Sequence, residues 1–281
     1  MINYSENIKK NIEHYNQHYS NLKIETIINK INNLNGFLQD AIITDTSWHA
    51  MGLYNFYQNI RGKRILELGC GDGLNALIMA SLGANVVAVD ISNYSEKIIR
   101  KVCEKICLKN IHPITGDFNE IDLKLKYFDF IVGKAFLHHL THDIERKYLR
   151  KMAVLLKNNG EARFFEPAVN SKFLDMIRFI VPVPGRPSML NRCAFEEWKR
   201  NDPHPDRDNS SKHFLKIGGD FFEEVQITLI GTIERFNRII RKEYLTRPFR
   251  RWAHKIEPKL PFWLRNIAAR SQLIIYRRPK L

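Results

Sequence analysis

Residues 64–73 have the sequence Arg-Ile-Leu-Glu-Leu-Gly-Cys-Gly-Asp-Gly, and this stretch decides the fold. Its first half is a short apolar run that is typical of a buried strand. Glycines 69, 71 and 73 follow at once, and glycine permits a tight turn and a close approach of the backbone to a ligand. The apolar residues 74–82 that come next predict a helix. A strand, a glycine turn and a helix in this order indicate the start of a parallel sheet.

Strands and helices continue to alternate as far as residue 167. The pattern predicts further strands at 85–91, 111–115, 128–133 and 160–165, with helices at 94–109 and 143–157. Two late strands, at 221–230 and 272–276, bring the total to seven. We therefore expect an α/β fold: a Rossmann-like, seven-stranded, mostly parallel sheet with helices on both faces.

Four segments follow from this pattern. The first is a helical N-terminal cap (1–60) with breaks near Asn35–Gly36 and around 44–47, and the second is the Rossmann-like core (61–168). The third is a proline-rich lid insertion (169–219) with one short helix near 195–200. The fourth (220–281) contains the last two strands and, between them, a basic insertion with helix-like pieces at 236–244 and 263–269.

The composition is that of a globular protein with a substantial core. Of the 281 residues, 44% are hydrophobic and 26% are charged. We find no apolar run of the roughly 20 residues that a spanning helix needs, and no signal-peptide core in the first thirty residues. Four dispersed cysteines do not form a disulfide framework. These features predict a cytoplasmic protein.

The positive charge is concentrated near the C-terminus. Residues 231–281 contain 14 Lys or Arg against three acidic residues, a net of +11 out of +14 for the chain. Basic and aromatic residues are interleaved at 247–252 and 260–265, as they are in segments that lie at membrane interfaces. We expect peripheral membrane contact through residues 232–268. The alternative is a solvated basic subdomain that packs its aromatic residues on the core.

Acidic residues stand at successive strand ends. Glu67 precedes the glycine turn, Asp90 ends the second strand, and Asp117 with Phe118 follows the third. A carboxylate at the second position can accept both hydroxyl hydrogens of a ribose, and one at the third can accept from an adenine amino group while the aromatic residue covers the ring. A single strand-end Asp is more often a turn residue. Acids in this order favour a nucleoside site.

The motifs resemble those of the class I S-adenosylmethionine-dependent methyltransferases. The residues that carry the resemblance are E-L-G-C-G-D-G (67–73), V-A-V-D-I-S (87–92), G-D-F (116–118) and F-D-F-I-V-G-K-A-F-L-H-H-L (128–140). The resemblance covers residues 61–167 and the two late strands, and points to small-molecule methyltransferases such as those of quinone and natural-product biosynthesis. It implies S-adenosyl-L-methionine as the cofactor, bound by Glu67, Gly69, Gly71, Gly73, Asp90, Ile91, Asp117 and Phe118.

An aromatic pair in the leading helix often closes over the cofactor in this family. Tyr15 and Tyr19 match that position loosely. Their alternative role is to pack one helix face on the core.

For methyl transfer to oxygen or nitrogen by in-line displacement, the protein has to align the acceptor and exclude water. The acceptor must also lose a proton to a base. His138 and His139 follow the fourth strand and Glu166 ends the fifth, so these three are the catalytic candidates, with His139 preferred. The alternative for the histidines is a capping residue and an exposed one at a helix start. The expected acceptor is a small molecule, either a secondary metabolite or a quinone or other lipid-like compound.

The sequence leaves three alternative functions open: a membrane-surface lipid methyltransferase, an RNA methyltransferase and a non-catalytic protein that binds the cofactor. Residues 133–136 are Gly-Lys-Ala-Phe, not the N/D-P-P-Y/F/W motif of base-amino methyltransferases, which makes nucleic acid an unfavoured partner. They also lack the acid that metal-dependent catechol methyltransferases place there, so we assign no metal. A histidine-rich strand end and a lid argue against a pure binder.

Overall fold

Seven strands form one sheet at the centre of the computed structural model, which describes residues 12–13, 15–17, 19, 22–183, 185–202, 204–240 and 243–280. The strands are β1 (Arg64–Leu68), β2 (Asn85–Asp90), β3 (Ile111–Thr115), β4 (Phe128–Lys134), β5 (Leu156–Pro167), β6 (Phe222–Ile230) and β7 (Ser271–Pro279). Their order is β3-β2-β1-β4-β5-β7-β6, and β7 runs antiparallel to both of its neighbours. The predicted α/β class and mostly parallel sheet are confirmed.

Helices cover both faces of the sheet. They are α1 (Ile24–Asn32), α2 (Leu34–Thr44), α3 (Thr46–Gly52), α4 (Leu74–Ser81), α5 (Asn93–Ile106), α6 (His142–Leu155), α7 (Lys172–Ile180), α8 (Arg192–Asn201), α9 (Ser211–Gly219), α10 (Glu243–Ile256) and α11 (Phe262–Ala268). One apolar cluster packs the five helices from α1 through α5 on one face of the sheet, and a second packs α6 and α9 on the other face. No helix in the described part of the chain has the length and apolar character needed to cross a bilayer.

The N-terminal helices are fastened to the sheet by a buried arginine of β5. The Arg163 guanidinium donates to the Met51 and Leu53 carbonyls and pairs with Glu161. A helix break is present near the predicted position, but it falls at Asn33, since Asn35 and Gly36 both lie inside α2. The predicted break around 44–47 is confirmed at Asp45, whose carboxylate accepts from the backbone of the first turn of α3.

The lid segment, residues 169–219, contains three helices (α7, α8 and α9) instead of the one predicted. Prolines 182, 187 and 205 fall in the connections between these helices, so a proline-rich composition did not exclude helices. The missed helices have ordinary start signals: Ser171 caps α7 and Ser210 caps α9 by accepting backbone hydrogen bonds.

The basic insertion, residues 231–270, connects β6 to β7. The helix predicted at 236–244 is instead a 3₁₀ turn (Glu234–Ile239), and the long helix α10 begins later and continues through Pro248. The predicted piece at 263–269 corresponds to α11. Because Pro167 and Ile230 both pair with Ser271, the lid segment and the basic insertion leave the sheet at the same edge, the carboxyl end of β5.

Candidate functional site

A cavity of about 390 Å³ opens at the carboxyl ends of the parallel strands. It lies where the strand order reverses between β1 and β4, the usual ligand position in an open α/β sheet. The glycine turn, the ends of β2 and β3, the segment after β4 and the leading helix all contribute to its wall. Of the predicted site residues, the wall contains Glu67, Gly69, Gly71, Asp90, Ile91, Phe118, His139, Tyr15 and Tyr19.

The glycine turn (residues 69–73) needs its glycines for space as well as for backbone shape. Gly71 has a φ of +58°, and a Cβ placed on it would lie 2.8 Å from the Tyr19 hydroxyl. Gly73 is outside the cavity wall, where a Cβ would lie 2.4 Å from the Ile99 side chain. Gly71 therefore keeps the cavity open, whereas Gly73 allows α4 and α5 to pack closely.

Asp90 links the end of β2 to the glycine turn. One carboxylate oxygen accepts from the Gly71 N–H at 2.8 Å and the other from the Ser92 N–H at 2.8 Å. Burial raises the pKa of the carboxyl to about 6 in spite of these bonds. Since a carboxylate oxygen accepts more than one hydrogen bond, Asp90 retains capacity for the two hydroxyl groups of a ribose.

Glu67 presents a buried acceptor to the cavity. Its side chain is 1% exposed; Oε1 accepts from the Asn75 amide at 2.7 Å, and Oε2 has no hydrogen-bond partner among the residues that the structure describes. Burial raises the pKa of the carboxyl to about 8. An unmatched acceptor on a cavity wall is costly unless a ligand supplies a donor. The ammonium group of S-adenosylmethionine is such a donor, so the residues fit this cofactor.

Phe118 and Asp117 differ in their access to the cavity. The Phe118 ring lies in the cavity wall and packs edge-on against Tyr148, with 4.9 Å between ring centroids. Asp117 lies beside the wall, where Oδ1 accepts from the Tyr148 hydroxyl at 2.7 Å and from the Asn119 N–H at 2.9 Å. An adenine contact through Asp117 stays a prediction.

Tyr15 and Tyr19 stack with ring centroids 5.6 Å apart, and both residues line the cavity. The described residues between 12 and 19 are helical. Burial, followed by the nearby Asp90 charge, raises the pKa of Tyr15 to about 12 and that of Tyr19 further. Both hydroxyl groups therefore stay protonated. Tyr19 also packs on the apolar cluster that contains α4.

Two of the three catalytic candidates have contacts that suit a positioning role. Glu166 is fully buried and accepts from the backbone N–H groups of Phe136, Leu137 and His138 and from the His138 imidazole, at 2.6–3.3 Å. These bonds use both carboxylate oxygens to hold the segment after β4. Of the three candidates, His139 is the one that lines the cavity, and its Nε2 is 3.1 Å from the Tyr15 hydroxyl.

His204 joins this site from the lid segment, although it was not among the catalytic candidates that the sequence offered. Its ring lies 4.3 Å from His139 and 4.9 Å from His138, centroid to centroid, and its Nδ1 is hydrogen-bonded to Asp202. Ligand atoms of the three histidines lie within 4.8 Å of one another, a set that is able to hold a transition metal. The absence of a metal stays a prediction.

A second such set consists of His142, Glu145 and His213. Two of its members are already bonded to each other, since His213 Nε2 lies 2.7 Å from Glu145 Oε2. The Arg207 guanidinium donates to Glu145 and bonds to the His213 ring, which places a fixed positive charge beside the two groups. This set is a polar network of α6 and the lid segment in which Glu145 is buried and His142 is exposed.

Comparison with known proteins supports a methyltransferase domain around this cavity. Residues 65–160 match the family model of the methyltransferase domain. The cypemycin N-terminal methyltransferase of Streptomyces is 32% identical over 108 residues, which are 38% of this chain and 42% of that protein. A ubiquinone biosynthesis O-methyltransferase of Coxiella burnetii is 28% identical over 122 residues, 43% of this chain and 50% of its own. The chain thus matches half or less of the length of these relatives.

Solved structures share the fold at low identity. Phosphoethanolamine N-methyltransferase 2 of Haemonchus contortus superposes with a TM-score of 0.53 at 12% identity, covering 92% of this chain and 61% of that one. Geranyl diphosphate C-methyltransferase of Streptomyces coelicolor gives 0.54 at 11% identity, covering 83% and 79%.

The sheet order, the glycine turn and the cavity are those of the class I S-adenosylmethionine-dependent methyltransferase fold. Residues 65–160 form a methyltransferase domain, and the residues of the cavity wall fit S-adenosyl-L-methionine as the cofactor.

Cofactor binding should depend on Asp90 and on pH. We expect Asp90→Ala to weaken binding by about 1–3 kcal/mol, the usual loss for a buried hydrogen-bonded group. Because the carboxyl pKa is about 6, the acceptor form is lost below that pH, and affinity should fall about tenfold per pH unit. Calorimetric titration across this range measures both effects.

The Asp90→Asn variant separates Asp90 from Glu67, the other titrating carboxyl in the wall. It should bind weakly and lose only the part of the pH dependence that begins near pH 6, while the part that Glu67 causes from about pH 8 downward remains. A variant that keeps the wild-type pH dependence would assign it to another group. Asp122→Ala, on an exposed loop, is the control for a lost carboxylate.

Proposed function

We propose that the protein transfers the methyl group of S-adenosylmethionine to an oxygen or nitrogen of a small-molecule acceptor by in-line displacement. The observation that carries this proposal is the Tyr15–His139 pair in the wall of the cavity that the glycine turn and Asp90 also line. The proposed base and the cofactor residues thus line the same cavity. The bound cofactor supplies a methyl group already activated by its sulfonium.

His139 is the proposed base. If its Nε2–H donates to the Tyr15 oxygen, the imidazole is fixed in the tautomer whose Nδ1 carries the lone pair that takes the acceptor's proton. Tyr15 stays protonated because burial raises its pKa to about 12. The pair thereby orients the base without adding a negative charge next to the acceptor.

Three further residues position the base. Glu166 fixes the backbone and ring of His138, and so the segment that carries His139. Asp202 holds His204, whose ring lies against His139 from the lid side and covers it. This lid contact favours the exclusion of water that methyl transfer requires.

The size of the cavity supports a small acceptor. At about 390 Å³, it lies in the range of small-molecule sites. The two relatives described above are an N-terminal methyltransferase and an O-methyltransferase, which agrees with the proposed nitrogen or oxygen acceptor. The sequence analysis leaves two classes of acceptor open: a soluble secondary metabolite, and a quinone or other lipid-like compound. The lipid-like form goes with the expected membrane contact of residues 232–268.

Labelled methyl groups test the proposal directly. The protein is incubated with methyl-labelled S-adenosylmethionine and cell extract, and the products are partitioned into small-molecule, protein and nucleic-acid fractions. We expect label in the small-molecule fraction with the wild type and a loss of that label with His139→Ala. Extraction into organic solvent then separates a lipid-like acceptor from a soluble one. Label confined to RNA or protein would overturn the proposal.

A further inference from the structure

Large apolar side chains are exposed mainly in two segments of the molecule. Fourteen of the seventeen that the described residues expose belong to the lid segment before α9 or to the basic insertion. Single exposed apolar residues are normal on a protein surface, but a concentration of this kind marks an interaction site.

The lid helix α7 turns an apolar stripe outward. Phe173, Met176, Ile177 and Ile180 follow the spacing i, i+3, i+4, i+7 and are 38–65% exposed. Every residue of α7 is at least partly exposed. A helix with this spacing ordinarily directs the stripe into a core, so here the stripe is available to an external apolar phase.

The basic insertion presents aromatic residues among positive charges. On α11, Phe262 and Trp263 are 68% and 64% exposed, and on α10 Trp252 is 50% exposed. Arg251 and Lys255 are exposed on α10 next to this tryptophan. The insertion contains eleven Lys or Arg against three acidic residues. Aromatic residues with basic neighbours are typical of surfaces that lie in the headgroup region of a bilayer.

The two segments adjoin each other. Leu174 and Arg178 of α7 line the same small cleft as Ile267 of α11 and Arg235 of the 3₁₀ turn. Arg235 also donates to the Ala268 carbonyl and so ties this turn to α11. Both segments leave the sheet at the carboxyl end of β5, the edge at which the cofactor cavity opens.

We propose that α7, α10 and α11 form one docking surface for an anionic lipid bilayer. The apolar stripe and the exposed aromatic residues enter the headgroup region, and the basic side chains pair with anionic headgroups. A second copy of the chain is the other candidate to cover an apolar surface, but two such basic surfaces would repel each other. If the proposed function holds, the surface also brings the cavity near acceptors that are dissolved in the membrane.

Vesicle sedimentation of the full chain tests the surface without any methyl transfer. We expect binding to phosphatidylcholine vesicles that contain phosphatidylserine, little binding to phosphatidylcholine alone, and release at high salt. Arg251→Gln with Lys255→Gln should lower the partition coefficient about fivefold for each charge removed. Phe173→Ser with Trp263→Ser should lower it about tenfold or more, because two large apolar groups no longer insert.

Matched changes elsewhere serve as controls. Leu125→Ser removes an apolar side chain that is 64% exposed outside the surface, and Lys101→Gln removes an exposed charge on α5. Both should sediment like the wild type. Equal binding by all variants would overturn the proposal. So would a dimer, found by analytical ultracentrifugation, that dissociates in the Phe173→Ser, Trp263→Ser variant. Methyl transfer to a soluble acceptor would leave the surface proposal intact.

Discussion

Gly71→Arg should abolish measurable binding of S-adenosylmethionine, with a loss of at least about a hundredfold, or about 2.7 kcal/mol. A Cβ at this position would already lie 2.8 Å from the Tyr19 hydroxyl. The rest of the arginine side chain would extend from the cavity wall beside the tyrosine pair and take up space meant for the ligand. The substitution would also break the approach of the Gly71 N–H to Asp90, which positions that carboxylate. Calorimetric titration with the cofactor measures the loss.

Gly62→Arg is the matched control for backbone strain. Gly62 has a left-handed φ of +74°, close to that of Gly71, but a Cβ there meets no described atom within 4 Å. Both variants therefore carry a similar conformational penalty, visible as a lower melting temperature, and only Gly71→Arg should lose the cofactor. Normal affinity in Gly71→Arg, or equal loss in both variants, would show that the glycine turn is not the cofactor site.

His139→Ala should lower the rate of methyl transfer about 10²–10⁴-fold, the usual contribution of a general base. Cofactor affinity should stay within about twofold, because Asp90, Glu67 and the glycine turn are unchanged. Tyr15→Phe should have a smaller effect, about tenfold, since the base survives and loses only the hydroxyl that orients it. The rate of label appearance in the product fraction and calorimetry with the cofactor provide the two measurements.

His112→Ala, an exposed imidazole on β3, is the control for loss of a histidine and should leave both values unchanged. Glu166→Gln distinguishes positioning from direct proton transfer. It keeps one acceptor oxygen, enough for the backbone N–H groups of Phe136 and Leu137, so it should retain far more activity than His139→Ala. A His139→Ala variant with the wild-type rate would exclude His139 as the base. A Glu166→Gln variant as inactive as His139→Ala would instead assign proton transfer to Glu166.

Local signals were sufficient for the parallel part of the fold. The strand at 111–115 has the predicted bounds, and the glycine turn leads into α4 as expected. In these elements, apolar periodicity and turn residues report directly on local structure. The N-terminal break falls at Asn33 and not at Gly36, because Gly36, a residue that disfavours helices, is tolerated in the first turn of α2, whose Leu38 and Ala41 are buried. The lid helices were missed because prolines dominated the composition.

The motifs predicted part of the cavity wall, although Gly73 and Asp117, which belong to the same motifs, do not line it. Glu67, Gly71, Asp90 and Phe118 occur in short patterns next to strands, and all four line the cavity. His204 carries no such mark, because it lies far along the chain from His139 and reaches that ring only through the way the lid segment folds back.

The outward stripe of α7 also escaped prediction. Its spacing is that of an ordinary amphipathic helix, and helical spacing alone does not say whether a face meets a core or solvent. The exposure of Phe173 and Met176 is a property of the tertiary arrangement, which leaves no sheet or helix over that side of α7 in the described part of the chain.

The antiparallel direction of β7 has a consequence for how this protein can diversify. The basic insertion begins at the end of β6 and returns at the start of β7, and these two ends are paired neighbours, Ile230 and Ser271. The insertion is therefore a long loop between two paired antiparallel strands. Because its ends are held together by the strands, a change in its length or composition costs little loop-closure entropy. Changes to the sequence of this loop can therefore alter where the protein binds in the cell, while the strands that hold the cofactor keep their register.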